Sequence, residues 1–168
     1  MEKKYIHIYC GNGTGKSSAA IGQGLRAAAA GKSVFLIRFL KGKAEDSDEY
    51  LRRLEPEIKM FAFEKSEKPF SELTPEEREE ETQHIRNAIG YARKVLTTGE
   101  CDVLILDEIL GLAKIGILDI EEYRELIGCA AEGMELILTG KDRCEALWPD
   151  VDEVTEVVTA YRADQSFN

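Results

Sequence analysis

Gly11-Asn12-Gly13-Thr14-Gly15-Lys16-Ser17-Ser18 decides how this chain is read. It follows the apolar run Tyr5-Ile6-His7-Ile8-Tyr9-Cys10 and opens an alanine-rich helical stretch, Ala19 to Ala30. A strand, a glycine loop and a helix in this order make a phosphate site. The glycines let the backbone turn tightly so that successive N–H groups face one anion. The helix N-terminus adds partial positive charge. Lys16 is placed to reach β- and γ-phosphate oxygens, and the Ser17 hydroxyl to hold Mg2+. The strict pattern G-x-x-x-x-G-K-[ST] needs glycine where Cys10 stands, so this loop is a variant, Gly-x-Gly-x-Gly-Lys-Ser. A dinucleotide fingerprint fits worse: its third glycine would fall on Lys16, and no acidic residue ends the second strand.

A second motif agrees with the first. Val103-Leu104-Ile105-Leu106-Asp107-Glu108 is a buried strand running into two acids, a Walker-B-like end. Asp107 is expected to hold the water shell of Mg2+ and Glu108 to face the reaction centre. Outward from these motifs, strand-like runs cover Ser33 to Leu40, Ile58 to Phe63, Glu135 to Leu138 and, more weakly, Val154 to Tyr161. Continuous apolar strands alternating with helical patterns predict a mostly parallel sheet flanked by helices, an α/β fold. Thr74-Pro75-Glu76-Glu77 predicts a capped helix start, with Ile85, Ala88, Ile89, Ala92, Val95 and Leu96 on one face and Gly99 as the stop. A second capped start is expected at Asp119, with Glu122 completing the box and Tyr123, Leu126, Ile127 and Ala130 facing inward. Lys41 to Glu49 and Glu64 to Leu73 read as polar loops, and the acidic run Glu76 to Glu81 as a solvated first helical turn. No repeat or linker interrupts this pattern, so residues 1–168 are expected to form one P-loop domain.

Composition narrows the function classes. The chain has 168 residues, 43% hydrophobic and 32% charged, which is globular rather than disordered. Its net charge of -10 argues against sequence-independent nucleic-acid binding, while a few local donors still suffice for one phosphorylated small molecule. No apolar run approaches the roughly 18 residues of a membrane span, and the N-terminus lacks a signal-peptide pattern, so a cytoplasmic protein with no membrane partner is expected. Cys10, Cys101, Cys129 and Cys144 show no zinc-site spacing, and His7 and His84 are the only histidines. Histidine-centred catalysis is therefore not expected.

Other candidates lie at strand ends, where open α/β sheets bind ligands. Lys41, after Arg38-Phe39-Leu40, and Lys141, after Thr139-Gly140, are each placed to bring a further cation to the phosphates. Phe61 and Phe63 read as packing residues; Phe70 and Trp148 could line an apolar ligand site, but ordinary packing is the preferred reading for them too. The guanine-specific Asn/Thr-Lys-x-Asp element is missing, as is the arginine-rich lid of small nucleotide kinases. The residues alone thus lead to a Mg-ATP-binding α/β domain.

A series of stretches then adds a resemblance. Gly11 to Ala20, Phe39-Leu40-Lys41-Gly42, Leu104-Ile105-Leu106-Asp107-Glu108-Ile109, Gly116-Ile117-Leu118-Asp119, Leu138-Thr139-Gly140-Lys141 and Asp152-Glu153-Val154-Thr155-Glu156 occur in order across nearly the whole chain. The series resembles the P-loop ATP:corrinoid (cob(I)alamin) adenosyltransferases, whose loop shares the Gly-Asn-Gly-x-Gly-Lys form. The resemblance implies a RecA-like strand order and ATP bound by Gly11, Asn12, Gly13, Thr14, Gly15, Lys16, Ser17, Ser18, Lys41 and Lys141. It implies metal held at Ser17 and Asp107, and catalytic roles for Lys16, Asp107 and Glu108. In that chemistry a Co(I) corrinoid attacks the 5′ carbon of ATP and triphosphate leaves, in the synthesis or salvage of cobalamin. A homodimer and a reductase partner supplying Co(I) are further implications. Some positions depart from the family pattern. Thr14 replaces a usual lysine, Lys141 a usual arginine and Leu110 a usual polar residue, and only about four residues precede the first strand. Another P-loop ATPase or kinase, or a non-enzymatic module binding ATP or a corrinoid, remain alternatives at this stage.

Overall fold

The computed structural model describes residues 2–40 and 46–163, with the side chains of residues 46 and 47 left out. The chain alternates strands and helices: β1 (Tyr5–Cys10), α1 (Lys16–Ala29), β2 (Val34–Arg38), α2 (Asp46–Arg52), β3 (Ile58–Phe61), α3 (Pro75–Thr98), β4 (Val103–Asp107), α4 (Ile120–Gly128), β5 (Glu135–Thr139) and β6 (Glu153–Glu156). The strands form one sheet in the order β3-β2-β4-β5-β1-β6, and every ladder is parallel. The loop-bearing strand β1 and the acid-bearing strand β4 are separated by β5, the RecA-like arrangement.

Sequence pattern explains the layers. Every residue of β2 and β4 is buried, as a parallel sheet covered on both faces requires. Alternate side chains go to opposite faces. Ile6, Ile8, Leu104, Leu106, Leu136 and Leu138 pack toward the apolar stripes of α3 and α4, whereas Leu36, Ile105 and Ile137 pack with Ala20 of α1. Both expected helix starts form reciprocal capping boxes, Thr74 with Glu77 and Asp119 with Glu122. Gly99 ends α3 at φ 66°, a left-handed stop that glycine adopts without a Cβ clash. Phe61 and Phe63 do pack, both against Tyr91 of α3.

Several segments differ from expectation. The second strand stops at Arg38 because Leu40 takes φ 57° and turns the chain out of the sheet. The third ends at Phe61, and the sixth is confined to Glu153–Glu156, the four residues that find partners on β1. The expected loop from Lys41 to Glu49 is helical from Asp46 onward; residues 41–45, including Lys41, lie outside the described residues. Glu81 is not part of a solvated turn: it is 6% exposed and accepts the backbone N–H groups of Lys65 and Ser66. The polar loop before α3 needs acceptors for its amides, and Glu81 supplies them. Among the described residues, no helix is long and apolar enough to cross a membrane.

Candidate active site

Parallel registration brings the strand ends to one edge. Asp107 pairs with Arg38 of the neighbouring strand β2, and the ladder from β4 to β5 puts Thr139 one step beyond the pair Leu106–Leu138. Cys10 delivers the glycine loop from β1 at the same edge, beside β5.

The loop leads into α1 through Gly15, which caps the helix at φ 106° without a side-chain hydrogen bond. Only glycine holds that conformation without strain, and a Cβ there would meet nothing within 4 Å. The first bond within the helix is Ala19 N–H to Gly15 O, so the amides before it form an end open to an anion. Gly13 is required for a different reason than its neighbour. Its N–H donates to the Val157 carbonyl at 2.8 Å, and a Cβ there would sit 2.7 Å from that oxygen. The chain just after β6 thus lies directly on the loop, and Val157 N–H continues the ladder by donating to Cys10 O at 2.8 Å. Gly11 N–H donates to the Lys141 carbonyl at 3.3 Å, tying the loop to the end of β5. Lys16 is 6% exposed and folds back to donate to Gly13 O at 2.6 Å. Asn12, Thr14 and Ser18 face solvent.

The acid end is held by hydroxyls. Ser17 Oγ donates to Asp107 Oδ1 at 2.7 Å, and Thr139 Oγ1 donates to the same oxygen at 2.7 Å. Thr139 also accepts the Glu108 N–H at 2.9 Å, which fixes Glu108 in its left-handed backbone state at φ 62°. Asp107 Oδ2 is buried with no hydrogen-bond partner among the described residues. A carboxylate oxygen left bare in the interior is costly. It fits the edge of a hydrated divalent cation that takes its other ligands from the Ser17 hydroxyl, water and phosphate oxygens. Among the described residues no group of three or more His, Cys, Asp or Glu could cage a metal.

An open cleft of about 560 Å³ adjoins these groups. Its polar wall includes Asn12, Glu108 and Lys141, and its apolar wall Leu40, Phe70 and Ile115. Phe70 therefore does line a cleft. Trp148 does not: its Nε1–H donates to Arg143 O at 2.8 Å, beneath the Arg143 guanidinium. Leu40 is held in place by Glu64, whose two carboxylate oxygens accept the Leu40 N–H at 3.1 and 2.8 Å. Burial pushes the Glu64 carboxyl up to about 7, with nearby Glu81 adding to the rise and the Leu40 amide opposing it.

The site thus joins Lys16, Ser17, Asp107 and Glu108 at one strand edge, with Asn12 and Lys141 at the cleft. Thr139, Arg38 and Asp48 are functional candidates that pattern reading passed over. Thr139 was visible as the residue ending β5, but only strand order shows that it lies against Asp107. A family profile described as ATP:corrinoid adenosyltransferase BtuR/CobO/CobP matches residues 2–165. The chain belongs to this family. Among curated relatives, the Corrinoid adenosyltransferase of Escherichia coli K12 is 28% identical over 156 residues, covering 93% of this chain and 77% of the relative. That of Pseudomonas aeruginosa is 26% identical over 157 residues, covering 93% and 75%. Corrinoid adenosyltransferase CobA of Salmonella typhimurium is 27% identical over 156 residues, covering 93% and 77%. Membership in the corrinoid adenosyltransferase family makes the chain a transferase whose family substrates are ATP and a corrinoid.

Proposed function

We propose that this chain, acting as one P-loop domain, transfers the 5′-deoxyadenosyl group of Mg-ATP to a Co(I) corrinoid and releases triphosphate. The cobalt lone pair forms the bond to C5′, and the C5′–O bond breaks with its electron pair passing to triphosphate. No protein nucleophile is required: the polar wall of the cleft offers Asn12, Glu108 and Lys141, and its lining among the described residues includes Ser71 but no cysteine or histidine. The observation that carries the reading is the Ser17–Asp107 contact beside an unfilled carboxylate oxygen at the foot of the glycine loop.

In this reading Lys16 swings from Gly13 O onto the phosphates, the amides from Thr14 to Ser18 surround them, Gly11 and Gly13 form the packed base of the loop, and Asn12 contacts the nucleotide from the cleft wall. Mg2+ at Ser17 and Asp107 supplies positive charge against the charge that develops on the leaving triphosphate. Glu108 orients water at that centre, Lys141 adds a cation from the cleft wall, and Lys41 is a further cation for the phosphates. The apolar wall of Leu40, Phe70 and Ile115 receives part of the corrinoid and excludes water from it. A reductase supplying Co(I) and a homodimeric assembly complete the proposal.

An anaerobic assay with Mg-ATP and reduced cobalamin tests it by following Co(I) absorbance and identifying the phosphate product. Free triphosphate appearing with loss of Co(I), both abolished in Lys16→Ala, is expected. ADP as product would make the chain a different P-loop enzyme, and unchanged turnover in Lys16→Ala would overturn the site.

A further inference from the structure

Two acids stand behind the apolar wall of the cleft. Leu40 and Phe70 line the cleft on one side. On the other they line a cavity of about 10 Å³, room for one water, which Glu64 and Glu81 also line. Leu40 takes φ 57°, a backbone state unfavourable for a residue with a Cβ. Both Glu64 carboxylate oxygens accept its N–H. Its Cδ1 lies 2.8 Å from where a Cβ on Gly111 would stand, so the Leu40 side chain rests directly on the segment that follows Glu108. Phe70 is gripped from the first turns of α3. Glu81 Oε1 and Oε2 accept the Lys65 and Ser66 N–H groups, each at 2.9 Å. Arg78 Nη2 donates to Ser71 O at 2.9 Å, with its guanidinium over the Phe70 ring. A carboxylate drawn out of water behind an apolar wall is costly. Here both oxygens of each acid accept backbone amides of segments that lie outside helix and sheet.

We infer that Glu64 is a positioning residue for corrinoid recognition. It holds Leu40 in the left-handed state against Gly111 while Glu81 holds the loop that carries Phe70, so the wall is formed before the corrinoid arrives. This role rests on the wall receiving the corrinoid, as proposed above. A large rigid ligand gains most from side chains that already stand in place, because ordering them on binding subtracts from affinity. Among the described residues, the hydrogen bonds of Glu64 and Glu81 go to the amides of residues 40, 65 and 66. The glycine loop and the Asp107 carboxylate are held by other groups. Loss of Glu64 therefore weakens the corrinoid and leaves ATP alone. A carboxylate that only stabilised the fold would lower both affinities together, or neither.

The test is anaerobic steady-state kinetics of the full chain with Mg-ATP and reduced cobalamin, with ATP affinity measured separately by calorimetry. Glu64→Ala is expected to raise KM for reduced cobalamin about tenfold while ATP affinity stays within about twofold. Glu64→Gln keeps one acceptor oxygen for the Leu40 N–H and should raise that KM about threefold. Leu40→Gly removes the wall side chain, and glycine holds the left-handed state unaided. In that background Glu64→Ala should add less than about twofold, because Glu64 acts through Leu40. An unchanged cobalamin KM in Glu64→Ala, an equal loss of ATP affinity, or full additivity with Leu40→Gly overturns the inference. Circular dichroism checks folding. Should Glu64→Ala fail it, Glu64→Gln alone and in the Leu40→Gly background decides, and an unchanged KM or an additive rise refutes. Two failures are distinguishable. A native chain that releases no triphosphate with loss of Co(I) defeats the proposed function and this inference together. Native turnover with a cobalamin KM indifferent to Glu64 defeats this inference only.

Discussion

Replacing Thr139 by valine removes one hydroxyl from a fully buried position while keeping its shape. That hydroxyl donates to Asp107 Oδ1 at 2.7 Å and accepts the Glu108 N–H at 2.9 Å. A hydrogen bond to a charged group contributes about 1.5–3 kcal/mol, and a buried N–H left without an acceptor costs about 1–3 kcal/mol. Partial relaxation brings the expected loss to about 3 kcal/mol, because Ser17 still donates to Asp107. For a chain of this length each kcal/mol moves Tm by about 2–4 °C, so thermal unfolding should shift down by about 6–12 °C. Freed from Thr139, Asp107 and Glu108 lose their fixed orientation, and kcat/KM for Mg-ATP should fall about 10–100-fold, the usual cost of removing a residue that orients a metal ligand. Thermal circular dichroism and anaerobic initial rates read the two effects. Thr139→Ser keeps the hydroxyl and should recover most of both. A valine variant with native Tm and native kcat/KM, or a serine variant as impaired as the valine, would refute the reasoning.

Two further outcomes are expected. Gly13→Ala drives a Cβ to 2.7 Å from the Val157 carbonyl, so ATP affinity measured by calorimetry should fall more than about tenfold. Gly90→Ala, where a Cβ meets nothing within 4 Å, should instead stabilise α3 by about 0.5–1 kcal/mol; equal behaviour of the two would dismiss the packing account. The Glu64 carboxyl, pushed up to about 7 from the model-compound 4.5, keeps its proton in the folded state over a range where the unfolded chain has released it. Stability should therefore fall as pH rises from about 4.5 to 7 and level off above, by about 2 kcal/mol for a half-buried group. Glu64→Gln removes that part of the slope, and denaturant titrations running parallel for both proteins across the window would contradict it.

The loop from Gly11 to Ser18 and the strand ending in Asp107-Glu108 were legible from the sequence because each is local. Backbone conformation, helix capping and apolar periodicity depend on neighbours in the chain, so β1, β4, β5 and both capped helix starts could be placed within a residue or two. The class of fold followed, since continuous apolar strands between helices have few other solutions. The resemblance carried the family.

Tertiary structure alone decided what meets what. Strand order sets Thr139 and Arg38 on either side of Asp107, and neither position carries a local pattern that marks it. Gly13 read as a phosphate-loop glycine, but its immediate constraint is Val157, 144 positions further along the chain. Asp48 and Glu81 sat in segments that read as solvated, yet each is buried against a partner brought from elsewhere in the fold. A short-range pattern specifies how a backbone turns. The charge balance of a buried site depends on groups distant in sequence, and only the packed sheet brings them within reach of one another.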